Sequence, residues 1–380
     1  MVDYNNKKAR YISSLVNLFG GILFFWIKNK EIDQSFIKKI LIIKLDRIGD
    51  TFLSTPTIEA LRKKFPSADI KILVAPWNKS VLDNNPNINE IKVFSEAIDV
   101  HSNSFLSLFN YLKTKKLSIE IQEICPDLSI DLEGHPMNVL AMFRAGVPIR
   151  IGFKDKIFSF LLTNKVRNNG LVHQSDIYFS IARLLGFDGQ KPVEMIFVND
   201  EDKNLVNRFK IENNLDDFIV VHLSAGRSYR LWPLDHFVSL GRLLILLDKR
   251  LKLVLIGGGE DKYLAKEFIN KLNCGDRVVD ATKVLGIPST YELMPSAKLF
   301  IGSESAPMHF AGARGIATIA FMNVWSGIDR WKPLGDKVYV FRSKNVHKCP
   351  GVSCHLIPCP NMAAISVNEV YHFINEKHLL

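Results

Sequence analysis

From residue 37 to residue 322, short apolar runs alternate with segments whose apolar positions recur every three or four residues. A run of four to eight apolar residues has no polar face, so it reads as a strand covered on both sides; the recurrent segments read as helices packed over it. In the first half the strand runs are "KKILIIKL" (38–45), "DIKILVAP" (69–76), "IKVF" (91–94), "DLSIDLEG" (127–134) and "IRIGF" (149–153), with the helical "TIEALRKKFP" (57–66) between the first two. The pattern restarts at "FIVVHLSAG" (218–226). It continues through the helical "HFVSLGRLLILLDKR" (236–250), "LKLVLIGGGED" (251–261), a helix over 262–272, "RVVDAT" (277–282), "AKLFIGSES" (297–305), a helix from 306 and "IATIAFM" (316–322). Strands alternating with helices predict two successive parallel α/β sets. Between them "LGFDGQKPVEMIFVNDEDKN" (185–204) has the turn residues and charge of a linker, so the expected division is residues 1–36, 37–200 and 201–380. No short repeat, low-complexity tract or heptad pattern interrupts this order.

The first 36 residues follow another rule. The apolar run Ile12–Ile27 is shorter than the roughly 20 residues a spanning helix needs. Ser13, Asn17, Gly20 and Gly21 recur at helical spacing as a narrow small-polar strip, and Leu15, Leu18, Phe19, Ile22, Phe25 and Trp26 fill the remainder. Lys7, Lys8 and Arg10 precede the run and Lys28 and Lys30 follow it, which suits a helix lying in the interface of an anionic leaflet. Two other readings stay open: a signal peptide, although no small-residue cleavage site is evident, and a helix docked on the protein's own core.

Charge changes the picture modestly. A formal net charge of +10 over 380 residues suggests an anionic partner: nucleic acid, a phosphorylated small molecule or an acidic membrane surface. The basic residues are dispersed and no series of stacking aromatics accompanies them, which disfavours nucleic acid. Five cysteines form neither an even secreted framework nor a CxxC pair, and a reducing compartment is the simpler reading. Cys349, Cys354 and Cys359 in "HKCPGVSCHLIPCP" leave a metal site or a local disulfide open, but their spacing is not a standard zinc pattern.

Candidate chemistry gathers at three strand-to-helix junctions, since ligands of open parallel sheets collect at the carboxyl ends of strands. After the first strand comes "LDRIGD". Gly49 permits a close turn, and Asp50 opens a helix where free N–H groups favour a carboxylate, either as a plain cap or as a chemical group. Asp46 and Arg47 crowd the same turn. In "HLSAGRSYRLWP", Ser224, Ala225 and Gly226 expose backbone N–H groups, and Arg227 and Arg230 can neutralise phosphate oxygens. In "IGSESAPMHF", Ser303, Ser305 and the amides near Ala306 form a possible anion cradle, with His309 one turn further on. "LIGGGED" adds glycines and Glu260 but lacks the dinucleotide fingerprint GxGxxG.

The order and spacing of "LIIKLDRIGDTFLSTPTIEALRKKFP", "HLSAGRSYRLWP", "LIGGGED", "IGSESAPMHFAGARG" and the late cysteine segment resemble glycosyltransferase family 9, the ADP-heptose:lipopolysaccharide heptosyltransferases. The resemblance runs from about residue 38 to about 375. It implies a GT-B fold: two Rossmann-like domains facing a central cleft, with acceptor bound mainly by the first and nucleotide-sugar by the second. Asp50 then matches the aspartate proposed as general base. Arg230 stands where the family has a basic residue on the donor diphosphate, Ser305 and His309 match the serine or threonine and the histidine of the (D/N)(S/T)GxxH segment, and Glu260 matches more loosely an acidic residue near the ribose. The chain departs from that pattern at Glu304 (usually Asp or Asn), at Ala306 (usually Gly) and in "DATKVLGIPSTYEL", where "TGKTSLREL" is commoner.

The expected activity is therefore inverting, metal-independent transfer of heptose from ADP-heptose onto a lipopolysaccharide core or related glycolipid, with no cofactor. The expected donor-side residues are Ser224, Gly226, Arg227, Arg230, Glu260, Glu304, Ser305, Ala306 and His309; Asp46 and Arg47 lie on the acceptor side. The expected location is the cytoplasmic face of the inner membrane, peripherally bound. The rival functions are a nucleotide-sugar epimerase of the same fold and a non-catalytic nucleotide-sugar-binding protein at the membrane.

Overall fold

Among the described residues twelve strands pair in parallel, six to a sheet. The computed structural model describes residues 7–27, 29–96, 108–344, 347 and 356–380, and the chain divides into two compact units, Met1–Met195 and Ile196–Leu380. In the first unit β1 (Lys39–Lys44), β2 (Asp69–Val74), β3 (Glu90–Val93), β4 (Leu128–Asp131), β5 (Ile149–Phe153) and β6 (Asn164–Val166) lie in the order β3-β2-β1-β4-β5-β6. In the second, β7 (Phe218–His222), β8 (Lys252–Ile256), β9 (Val278–Asp280), β10 (Leu299–Ser303), β11 (Ala317–Met322) and β12 (Val338–Arg342) repeat the scheme as β12-β11-β10-β7-β8-β9. Central strands are buried on both faces: every residue of β1 after Lys39, and all of β7, β10 and β11, are inside. That is why they read as continuous apolar runs.

The pattern of apolar runs does not predict β6 or β12, and both are edge strands. An edge has one side to water, so Asn164 and Lys165 in β6 and Arg342 in β12 break the apolar run that marks an interior strand. Each sheet reverses its winding once, between β1 and β4 and between β7 and β10, and there the connecting segments diverge and open a crevice at the carboxyl ends.

The N-terminal helix spans Lys7–Leu23, and among the described residues no helix is long and apolar enough to cross a membrane. Two residues of its small-polar strip, Asn17 and Gly20, turn toward the rest of the first unit, while Gly21 is exposed. Gly20 is buried against the Phe160 ring, Asn17 donates through Nδ2 to the Lys156 carbonyl at 2.9 Å, and Phe24 packs on Phe143 and Phe160. The bulky apolar side chains Leu18, Phe19, Ile22 and Leu23 face outward, as do Phe25 and Trp26 beyond the helix.

In the second unit Trp232, 1% exposed, stacks on Phe321 at 4.1 Å and donates to the Ile365 carbonyl, tying the C-terminal segment to the sheet. The helix Ala306–Ala313 is held at its far end by a close backbone approach. A Cβ on Gly312 would stand 2.5 Å from the Leu334 carbonyl oxygen, and Gly335 approaches Gly312 from the other side with φ +147. Gly312→Ala is expected to destabilise the protein by about 1–3 kcal/mol through overpacking and to lower the thermal midpoint by several degrees; a calorimetric scan superimposable on the parent would show that the turn yields freely.

Candidate active site

The carboxyl end of β1 carries the first constellation. Lys44, the last residue of β1, is fully buried, and its ammonium donates to Asp46 Oδ2 at 2.7 Å while sitting 4.0 Å from the centre of the Tyr178 ring. Asp46 is only 7% exposed. Its carbonyl accepts hydrogen bonds from Trp77 Nε1 at 2.6 Å and Asn78 Nδ2 at 2.9 Å, both following β2. Asp46 thus orders the turn. The segment after it forms a separate short helix, Ile48–Phe52, before the longer Thr55–Lys64, and Asp50 lies in its first turn, half-buried. Asp50 Oδ1 accepts from the Tyr178 hydroxyl at 2.9 Å. Arg47 is the residue before this helix, extended and half-buried.

The adjacent strand β4 contributes residues that its local sequence did not single out. Asn138 donates to both Asp131 and Glu133 at 3.0 Å. Burial, reinforced by the Glu133 charge, raises Asp131 to about 6. Burial also raises Glu133, against the attraction of Lys44. It raises Asp46 well above the ordinary aspartate range, with Lys44 opposing and Asp50 and Glu133 adding repulsion. His135 caps the helix Pro136–Arg144, its Nδ1 accepting from the Met137 N–H at 3.3 Å, and burial lowers its pKa to about 4. One buried ammonium thus serves several carboxylates that desolvation pushes toward the neutral form.

The second constellation lies at β7 and β10. Ser305 Oγ is 2.9 Å from His222 Nδ1 and 3.1 Å from the Ser303 carbonyl, which takes the Ser305 hydroxyl proton. His222 Nδ1–H then donates to Ser305, and Nε2 accepts from Ser224 at 3.3 Å. A neutral imidazole is required, and burial lowers His222 to about 4, with Asp261 partly offsetting. Ser305 precedes the helix Ala306–Ala313 without a side-chain cap bond, since its hydroxyl is spent on His222 and Ser303. The first amides of that helix are left without the usual cap, at the dipole's positive end. Arg230 Nη1 lies 3.2 Å from Glu304 Oε1, so the longer acid at 304 reaches the arginine on the neighbouring loop. Ser303 Oγ accepts from the Trp232 N–H at 3.1 Å, joining the same two loops.

Of the expected donor-side residues, the structure brings together Ser224, Arg230, Glu304 and Ser305, with Ala306 opening the helix and His309 buried one turn inside it. Gly226 and Arg227 lie on the loop after β7, Gly226 exposed. Glu260 lies after β8 in an exposed turn, while its neighbour Asp261 accepts from Gly258 N and acts electrostatically on His222. Lys44, Glu133, Asn138, Tyr178 and His222 were missed. The β4 end has the same strand, small residue and helix order as the other junctions, in "DLEGHPMN", and could have been found by it; His222, the polar residue that ends the apolar run of β7, could have been found likewise, whereas Tyr178 sits inside an ordinary helix and carries no local signal. Cys349, Cys354 and His355 lie outside the described residues, and Cys359 is buried, its sulfur 3.7 Å from Asn323 Nδ2.

Two doubly wound units, each with polar residues at its switch point, make this a GT-B fold. Over 90% of this chain and 97% of the other, the fold is similar to that of the family 9 glycosyltransferase from Veillonella parvula (TM-score 0.71, 21% identity). It is similar over 89% and 98% to Escherichia coli ADP-heptose LPS heptosyltransferase II (TM-score 0.70, 20% identity). In sequence it is 23% identical over 315 residues to lipopolysaccharide heptosyltransferase 3 of Escherichia coli, covering 80% of this chain and 88% of that protein. The chain belongs to glycosyltransferase family 9 (heptosyltransferase), whose model matches residues 116–356, and it is a glycosyltransferase.

The buried neutral His222 makes stability depend on pH. Unfolded, it binds a proton near 6.5; folded, it does so only near 4, so between these values the unfolded state holds more protons and stability falls as pH falls. His222→Asn is expected to remove up to about 1.4 kcal/mol per pH unit of that decline, measured by denaturant unfolding at pH 6.5 and 4.5. An unaltered slope would show that His222 does not govern it.

Proposed function

We propose that this glycosyltransferase moves heptose from ADP-heptose onto a lipopolysaccharide core or related glycolipid, inverting the anomeric centre without a metal ion. The observation that carries the reading is Asp50: a half-buried carboxylate just beyond the carboxyl end of a central strand, with its Oδ1 held by the Tyr178 hydroxyl. The acceptor oxygen forms a bond to the anomeric carbon as the bond from that carbon to the diphosphate breaks, and the hydroxyl proton passes to Asp50. Charge developing on the diphosphate is met by Arg230, by Arg227 and by the uncapped amides at the start of Ala306–Ala313. ADP-heptose and lipopolysaccharide stand in the name of one solved relative; a diphosphate suits the arginines and amides of the second unit, and an acceptor hydroxyl suits the carboxylate of the first. Asp50→Asn is expected to lower turnover about 100-fold or more with ADP-heptose and delipidated core oligosaccharide, read by product mass, while ADP affinity stays within about twofold. Near-parental turnover in that variant would remove Asp50 as the base.

The reading includes a peripheral position on the anionic, cytoplasmic leaflet that would present a lipid-linked acceptor. What supports it is the inversion of the N-terminal helix: Asn17 and Gly20 of its small-polar strip are used against the protein, and Leu18, Phe19, Ile22, Leu23, Phe25 and Trp26 are 59–74% exposed. Burying such side chains in the acyl boundary is worth about 1.5–3 kcal/mol each, and the lysines and arginine flanking the segment in sequence add attraction to anionic headgroups. The double variant Phe19→Asp, Ile22→Asp is expected to stay in the supernatant when parent sediments with phosphatidylglycerol vesicles, and to keep its activity on delipidated acceptor. Equal sedimentation of the two proteins would refute the anchor.

A further inference from the structure

The helix Gln174–Leu184 reaches the end of β1 from far along the chain and places one side chain there, Tyr178, 128 residues after Asp50. Tyr178 is 2% exposed, and its two functional parts meet two different groups: the hydroxyl lies 2.9 Å from Asp50 Oδ1, and the ring face lies 4.0 Å from the Lys44 ammonium. Phe153 packs beside the ring at 6.5 Å. A tyrosine kept for packing alone would need only a nearby carbonyl to satisfy its hydroxyl. Here the hydroxyl goes instead to the one carboxylate assigned to take a proton. The ring occupies the other side of the ammonium that holds Asp46 and, through Asp46, the turn carrying Asp50.

We propose that Tyr178 is the positioning residue for Asp50: its hydroxyl pins Oδ1, fixes the carboxylate rotamer and leaves Oδ2 as the oxygen that receives the acceptor's proton. This rests on the reading of Asp50 as base. Tyr178 keeps its own proton throughout, so the balance of the transfer is unchanged. Asp46 from its own loop and Glu133 from the end of β4 stand near Asp50 as like charges, with Lys44 as the cation that attracts those two, and Arg47 lies in the same turn. The Tyr178 hydroxyl is a directional contact to Asp50 that adds no charge. Removing it should free the carboxylate to rotate.

Tyr178→Phe preserves the ring, its packing and its face toward Lys44. With ADP-heptose and delipidated core oligosaccharide, kcat is expected to fall about tenfold or more, the loss of a hydrogen bond to a charged group. KM for the donor should be little changed. Replacement of Tyr178 by 3-fluorotyrosine, which keeps the donor and nearly the same shape, should keep kcat within a few-fold of the parent and guards against a folding defect in the phenylalanine variant. An inactive Asp50→Asn variant together with parental kcat for Tyr178→Phe overturns the positioning role alone. An active Asp50→Asn variant overturns the reading of Asp50, and this proposal with it.

Discussion

Two strand pairings carry the rest of this protein: β1 beside β4 and β7 beside β10. In each sheet the winding reverses at that pair, so no crossover segment fills the space above the carboxyl ends. The register Ile43↔Asp131 sets the end of β1 next to the end of β4, and Gly302↔His222 does the same in the second unit. Asp46, Asp50 and Glu133 meet because of the first pairing. His222, Ser224 and Ser305 meet because of the second. Shifting either register by one residue would displace one strand end by about 3.3 Å against the other and part these groups.

Within the first unit the decisive quantity is charge in a dry place. Lys44 is the one cation at its junction that is fully buried, and carboxylates of both neighbouring strands draw on it. A buried ammonium with one ion pair and one aromatic face is tolerable only where geometry is good, because desolvation costs several kcal/mol per ion. The same arrangement gathers Asp46 and Glu133 near Asp50, and burial raises the pKa of both buried acids against the pull of Lys44. In the second unit the arrangement is different: a histidine that burial keeps toward its neutral form links Ser224 and Ser305, Ser305 donates to the Ser303 carbonyl, and Arg230 pairs with Glu304 beside a helix N-terminus.

The two junctions differ in kind while the sheets match: the first gathers carboxylates around a buried ammonium, and the second sets a histidine, serines and an arginine–glutamate pair at the start of a helix. The N-terminal helix is buried the other way round: Gly20 packs inward on Phe160 while Leu18, Phe19, Ile22 and Leu23 lie exposed, a contiguous apolar patch of the kind that marks an interaction surface.

By itself, the sequence determined the parallel α/β class, the ten strands that run through the interior or lie beside it, the restart of the pattern in the second half and the residues adjacent to Asp50 and Ser305. These are local properties: a strand buried on both faces must be apolar along its length, and a strand-to-helix turn needs small and polar residues in place. Tertiary structure alone decided the edge strands β6 and β12, the burial of Lys44, the inward face of the N-terminal helix and the partners of each site residue. Tyr178 lies 128 residues from Asp50, and Glu304 meets Arg230 only because their strands' loops adjoin. A spacing rule reaches a few turns along one chain segment, whereas desolvation and hydrogen-bond geometry depend on which distant segments the sheet order sets side by side.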